Sequence, residues 1–178
     1  HKFNEKKELD KIIEYLKEGK IVSIISDAGT PILSDPGNIL VKECIKEKIN
    51  TVPIPGASSV IASISVSGFG DQFLFYGFLP KKEKDVEKTL LSLINVNYSL
   101  VFFIPSIKIN FYLKQFKKFF IERNIFIAKE ISKIHETFYR SSVVDMKLFN
   151  SPLKGELTIV ISNKLNKKNK QNSTINLN

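Results

Sequence analysis

Near the start of the chain Leu9, Ile12, Ile13 and Leu16 fall at i, i+3, i+4 and i+7, the pattern of a helix that buries one stripe. Asn4 stands where an N-cap belongs and Gly19 follows the last turn, so the spacing predicts a helix between them. The period then changes. Ile21, Val22, Ile24 and Ile25 form a short, nearly continuous apolar run, as a parallel strand buried on both faces requires. A helix over 36–48 with Ile39, Leu40, Val41, Cys44 and Ile45 as its apolar positions follows, then a short strand ending at Pro53 and a helix over 57–66. Two strand–helix units in succession predict parallel pairing and an α/β class.

Gly68-Phe69-Gly70 interrupts this pattern and predicts a domain junction, giving a first domain over 1–70 and a second over 71–162. In the second, apolar runs predict strands over 73–78, 99–104, 125–128, 137–142 and 157–161. Val86, Leu90, Leu91 and Ile94 mark one helix; Ile109, Leu113, Phe116 and Phe120, widened by Phe111, Tyr112 and Phe119, mark another. An aromatic stripe at helical spacing reads as core, not as a surface on which bases stack. The charged stretch 81–88 mixes signs and reads as a solvated helix face. From 163 to 178 the chain is rich in Asn and Lys without a period, the signature of a flexible tail.

Composition narrows the class. With 43% hydrophobic residues in 178 the chain can bury a real core. No apolar run approaches the ~18–20 residues that cross a bilayer, and the opening His1-Lys2-Phe3-Asn4-Glu5-Lys6-Lys7 has no apolar signal core; the expectation is a cytoplasmic protein without membrane contact. Cys44 is the single cysteine, so neither an intrachain disulfide nor a cysteine-rich metal site is available, and no metal is expected. The net charge of +9 suits a polyanionic partner. However, of 27 basic residues only Arg123 and Arg140 are arginines, where phosphate and base recognition favours the guanidinium fork. The charge therefore gives RNA binding only weak support.

The chemistry concentrates after the first apolar run, in Ser26-Asp27-Ala28-Gly29-Thr30-Pro31-Ile32-Leu33-Ser34-Asp35-Pro36-Gly37. A loop of small residues and acids at a strand's carboxyl end is where open α/β sheets place ligands. Asp35-Pro36 reads as an N-cap and first helical residue. Asp27, at the strand end, is placed either to contact a ligand or to serve the turn, and Gly29 either supplies a positive φ or lets a ligand approach the backbone. Pro55-Gly56 opens either an ordinary turn or a helix amino end able to hold an anionic group.

This loop, together with Val52-Pro53-Ile54-Pro55-Gly56-Ala57-Ser58-Ser59-Val60-Ile61-Ala62 and Phe73-Leu74-Phe75-Tyr76-Gly77-Phe78-Leu79-Pro80, closely resembles the small-subunit ribosomal RNA methyltransferase I family of the tetrapyrrole-methylase superfamily. The likeness runs from His1 to about Ile161, through Ala128-Lys129-Glu130-Ile131-Ser132-Lys133-Ile134-His135-Glu136 and Lys154-Gly155-Glu156. Two family features are missing. The opening strand with its Thr-Pro-Ile-Gly-Asn-Leu loop and the Glu-Asp-Thr-Arg segment do not occur, and Ile104-Pro105-Ser106-Ile107-Lys108 stands where relatives carry Glu-Ser-Pro-His-Arg.

The resemblance implies a two-domain tetrapyrrole-methylase-like α/β fold whose first domain lacks its opening strand and loop. It implies S-adenosylmethionine bound between the domains, lined by Asp27, Ala28, Gly29, Thr30 and Pro31 and by Pro55, Gly56, Ala57, Ser58 and Ser59. The implied reaction is 2′-O-methylation of a cytidine ribose in the 16S ribosomal RNA of the small subunit, and the implied assembly a homodimer. His135, Glu130 and Lys133 are the candidates for the base that takes the hydroxyl proton, and spacing does not rank them. The competing functions are a methyltransferase on a small tetrapyrrole-type substrate, since one scaffold serves several substrates, and an RNA-binding remnant without catalysis.

Overall fold

The computed structural model describes residues 5–164. The Asn4 cap, His1 and the tail from 165 onward lie outside the described residues. The chain divides into two compact units after Ser58, so the third helix belongs with the second unit, whereas the glycine-rich junction expected at 68–70 follows that helix.

In the first unit, α1 (Glu5–Lys17) and α2 (Asn38–Lys46) pack side by side. Ile13, Leu40 and Cys44 are buried between Leu9, Ile12, Leu16 and Ile49. Cys44 is thus a packing residue, and burial pushes its thiol pKa up. An ion pair of Lys17 with Glu47, 2.6 Å, ties the carboxyl ends of the two helices.

The two strands expected here do not form. Residues 21–25 and 50–54 form neither helix nor strand, and Ile21 (95% exposed), Ile25 (89%), Val52 (70%) and Ile54 (83%) face solvent. An apolar run supplies side chains worth burying, but a strand exists only where another chain segment takes its N–H and C=O groups. Among the described residues of this unit, none does. The start of α2 is a second correction: the helix begins at Asn38 with Gly37 as N-cap, not at Pro36 behind Asp35.

The second unit is a five-stranded mixed sheet in the order β1-β2-β5-β3-β4: β1 (Phe73–Phe78), β2 (Ser99–Pro105), β3 (Asn124–Lys129), β4 (Thr137–Ser142) and β5 (Glu156–Ile161). β1 and β2 are parallel, joined through α4 (Glu83–Leu93). β5 enters between β2 and β3, antiparallel to both, and β4 pairs antiparallel with β3 at the far edge. A bulge between Phe75 and Gly77 interrupts the edge strand β1, a common device against edge-to-edge association.

α4 and α5 (Ile109–Phe119) cover one face. Val86 and Leu90 from α4 and Ile109, Tyr112, Leu113 and Phe116 from α5 meet Leu100, Phe102, Ile125, Ile127 and Ile159 from the strands. The aromatic stripe is core, as its spacing predicts. On the opposite face Val60 and Ile64 of α3 (Ser59–Ser67) meet Val101, Phe126, Ala128 and Val160. The charged stretch at the start of α4 is solvated, with Lys118 of α5 pairing with Glu83 and Glu87.

Both arginines serve this unit's architecture. Arg123 is buried, and its guanidinium donates to the carbonyls of Ile94 (3.0 Å), Val96 (2.6 Å), Tyr98 (3.5 Å) and Ser162 (3.2 Å) while lying over the Phe120 ring. It gathers carbonyls that the α4–β2 connection would otherwise leave without donors. Arg140 lies over Phe126 and Phe138 and donates to the Val66 carbonyl, 2.8 Å, in the last turn of α3, where the helix dipole favours a cation.

Candidate functional site

The sequence from 26 to 37 folds as a run of tight turns. The Ser26 hydroxyl donates to the carbonyls of Ala28 (3.3 Å) and Gly29 (3.0 Å), closing the first turn locally. Gly29 adopts φ 72°; a β-carbon there would meet only the Ala57 carbonyl at 3.9 Å, so conformation and not space calls for glycine. Ile32 (φ 75°) and Ser34 (φ 70°) also lie in the left-handed region, a strain of about 1–3 kcal/mol each that the surroundings must hold. Gly37 (φ 127°) needs glycine on both counts, since a β-carbon would stand 2.8 Å from Cγ1 of Ile32.

The Thr30 hydroxyl donates to the Ala57 carbonyl at 3.1 Å across 27 residues of chain. Of the two segments singled out in the sequence, 27–31 and 55–59, this bond ties the first to Ala57 of the second. Asp27, Ala28, Gly29, Pro55, Gly56 and Ala57 are exposed, and Thr30, Pro31 and Ser58 half-buried; Ser59 opens α3. Among the described residues the Asp27 carboxylate has no hydrogen-bond or ion-pair partner. It is free for a cationic or hydroxyl-bearing ligand, which fits the cofactor that the resemblance implies.

The remaining candidates sit in the β3–β4 connection of the second unit, and β3–β5 pairing explains why two distant blocks of sequence belong together. Glu130 N donates to the Glu156 carbonyl (2.9 Å), and Glu156 N donates to Oε1 of Glu130 (2.7 Å). Lys133 Nζ bridges Glu130 (3.2 Å) and Glu156 (2.8 Å). Gly155 (φ 91°) lies against the Glu130 carboxyl so closely that any β-carbon would overlap it.

The Glu156 N–H first, and Lys133 second, hold the Glu130 carboxyl below the ordinary carboxylate range. Glu156 and then Glu130 push the Lys133 ammonium up. At neutral pH Lys133 keeps its proton and Glu130 is a carboxylate already committed to two donors, so neither is placed as a proton acceptor. His135 is exposed, and among the described residues only its backbone carbonyl is engaged, by the Thr137 hydroxyl at 3.3 Å. Glu136 takes the Ser132 N–H at 2.6 Å and not the imidazole.

Sequence reasoning missed Glu5, whose carboxylate accepts from Gly37 N (3.0 Å), Ile39 N (2.9 Å) and Leu40 N (3.4 Å). No local spacing announces a cap brought from 32 residues away. Among the described residues no group of three or more His, Cys, Asp or Glu is gathered to hold a metal ion, and no helix is long and apolar enough to cross a membrane.

The profile of the tetrapyrrole (corrin/porphyrin) methylases matches residues 1–147. Ribosomal RNA small subunit methyltransferase I of Thermotoga maritima is 41% identical over 165 residues, covering 90% of this chain and 73% of that protein. The chain belongs to this methyltransferase family. The family member of the same name from Mesomycoplasma conjunctivae is 39% identical, covering 97% of this chain and 72% of its own; that of Rickettsia prowazekii is 36% identical, with 93% and 60% covered. Two solved structures share the family's fold. The methyltransferase CobJ superposes with a TM-score of 0.64 at 16% identity, over 87% of this chain and 70% of its own. Uroporphyrin-III C-methyltransferase of Thermus thermophilus, complexed with S-adenosylhomocysteine, gives 0.55 at 12% identity, over 88% and 73%.

Proposed function

We propose that this chain is an S-adenosylmethionine-dependent methyltransferase acting on small-subunit ribosomal RNA, and that the methyl group goes to the 2′-hydroxyl of a cytidine ribose. The observation that carries this is the Thr30–Ala57 hydrogen bond of 3.1 Å, which ties the 27–31 loop to Ala57 of the 55–59 segment in a chain 41% identical to a protein of that name. When bound, the cofactor supplies an electrophilic methyl group on a sulfonium. The free Asp27 carboxylate serves its cationic and hydroxyl groups, and the exposed backbone of Gly29 and Gly56 leaves room for close approach. His135 is the candidate to take the hydroxyl proton, since its imidazole is exposed while Glu130 and Lys133 are tied to each other and to Glu156. The further parts of the proposal, a homodimer at work in the cytoplasm, follow from the same family membership.

The test is methyl transfer. Small subunits from a strain lacking the endogenous enzyme are incubated with the chain and labelled S-adenosylmethionine, and the RNA is cleaved in alkali. A methylated 2′-hydroxyl cannot attack the neighbouring phosphate, so the expected result is label in an alkali-resistant dinucleotide. Label transferred to a tetrapyrrole in a parallel reaction, with none on the RNA, supports the small-substrate alternative; failure to bind S-adenosylhomocysteine supports the RNA-binding remnant.

A further inference from the structure

We propose that Glu5 is a positioning residue for the 26–37 loop, holding its closing end in the conformation that binds cofactor; the binding half of this rests on the function proposed above. α2 has no side-chain cap from its own N-cap residue, Gly37, and Asp35, two residues before it, is exposed and among the described residues has only its backbone N–H engaged, by the Ile32 carbonyl at 3.3 Å. A single oxygen of Glu5 instead accepts from three backbone N–H groups, those of Gly37, Ile39 and Leu40, at 2.9–3.4 Å. Helix amino ends leave such donors without intrahelical partners, and the negative charge also answers the dipole there.

The contact reaches beyond capping because Gly37 is the last residue of the loop as well as the N-cap of the helix. Gly37 packs against Ile32, which shares with Ser34 a left-handed backbone that neither side chain favours. Among the described residues, the only hydrogen bond between loop backbone groups from 30 to 36 is that of Asp35 N to Ile32 O. The loop therefore depends on an anchor at each end, Thr30 on Ala57 and Glu5 on Gly37. Glutamate reaches the three donors from the first residue of α1; glutamine keeps the acceptor oxygen without the charge, and alanine removes both.

The experiment compares the chain with its Glu5→Gln and Glu5→Ala variants by 15N relaxation and by titration with S-adenosylhomocysteine. Glu5→Ala is expected to lower backbone order parameters across 29–37 from about 0.85 to below about 0.6 while leaving β2, β3 and β5 unchanged. Ligand affinity should fall about tenfold, a loss of about 1.4 kcal/mol, and Glu5→Gln should recover most of both effects. Unchanged loop order, or loosening confined to 37–40, would overturn the proposal and leave Glu5 a helix cap alone; so would a disordered loop with undiminished affinity. A wild-type chain that does not bind S-adenosylhomocysteine overturns the cofactor assignment itself, and the order parameters then still decide whether Glu5 holds the loop.

Discussion

Residues 21–25 (Ile-Val-Ser-Ile-Ile) and 157–161 (Leu-Thr-Ile-Val-Ile) are near twins in composition, and the fold treats them in opposite ways. The second run lies in β5, hydrogen-bonded on both sides by β2 and β3 and buried throughout. The first lies in the smaller unit without becoming a strand, and its outer isoleucines face water. Apolar alternation measures what a segment could bury; whether it becomes a strand depends on a partner elsewhere in the chain, which no window of local sequence contains. Of the two units, the one whose runs find partners is held by its core. The other is held by two packed helices and a few long-range bonds to backbone groups.

The contrast can be broken by mutation. Phe126→Ala removes a fully buried ring from between α3 and the sheet, together with its contacts to Phe138 and Arg140. Loss of such a ring costs about 3–5 kcal/mol, read as a fall in the denaturation midpoint of the second unit. Gly155→Ala is expected to cost about 1–3 kcal/mol, because the new β-carbon meets both an unfavourable φ of 91° and the Glu130 carboxyl. A change of that size in the midpoint, with β2–β5 pairing intact, checks it.

A subtler effect comes from Glu130, whose pKa is lowered in the folded chain. A carboxylate with a depressed folded pKa contributes stability above its unfolded value, and loses it as the pH falls through the folded one. Acid titration of the wild type should therefore lose stability below about pH 4 that the Glu130→Gln variant does not have to lose. The raised pKa of Lys133 works in the other direction, its contribution fading only as pH climbs toward strongly alkaline values. Smallest of all is Ile25→Ala: with the side chain 89% exposed, the midpoint should move by no more than about 0.5 kcal/mol. A large loss would mean that 21–25 is packed after all.

Much of the second unit was legible in advance. β1 and β4 fall on the expected residues, and the Ile109, Leu113, Phe116 and Phe120 stripe is core, because period alone decides which side of a helix is buried. The insertion of β5 between β2 and β3 was not legible, since β5 is antiparallel to both yet buried on both faces, and so carries the continuous apolar run of a parallel strand. At the candidate site, the sequence singled out both 27–31 and 55–59, and the Thr30–Ala57 bond brings the first against the turn of the second. What stayed hidden were partnerships across long stretches of chain: Glu5 on Gly37, and Glu130 on Glu156. These turn one overlooked acid into a cap, and one candidate base into a bracket between strand ends.

The most direct test of the central claim, that the 26–37 loop holds the cofactor, is the affinity of S-adenosylhomocysteine for the wild-type chain and for Asp27→Ala, measured by calorimetry. Asp27 is exposed and carries no fold-stabilising partner among the described residues, so the substitution should leave the melting curve in place. Loss of one charged hydrogen bond, about 1.5–3 kcal/mol, should weaken binding by more than about tenfold. Equal affinity in the two proteins would contradict the account.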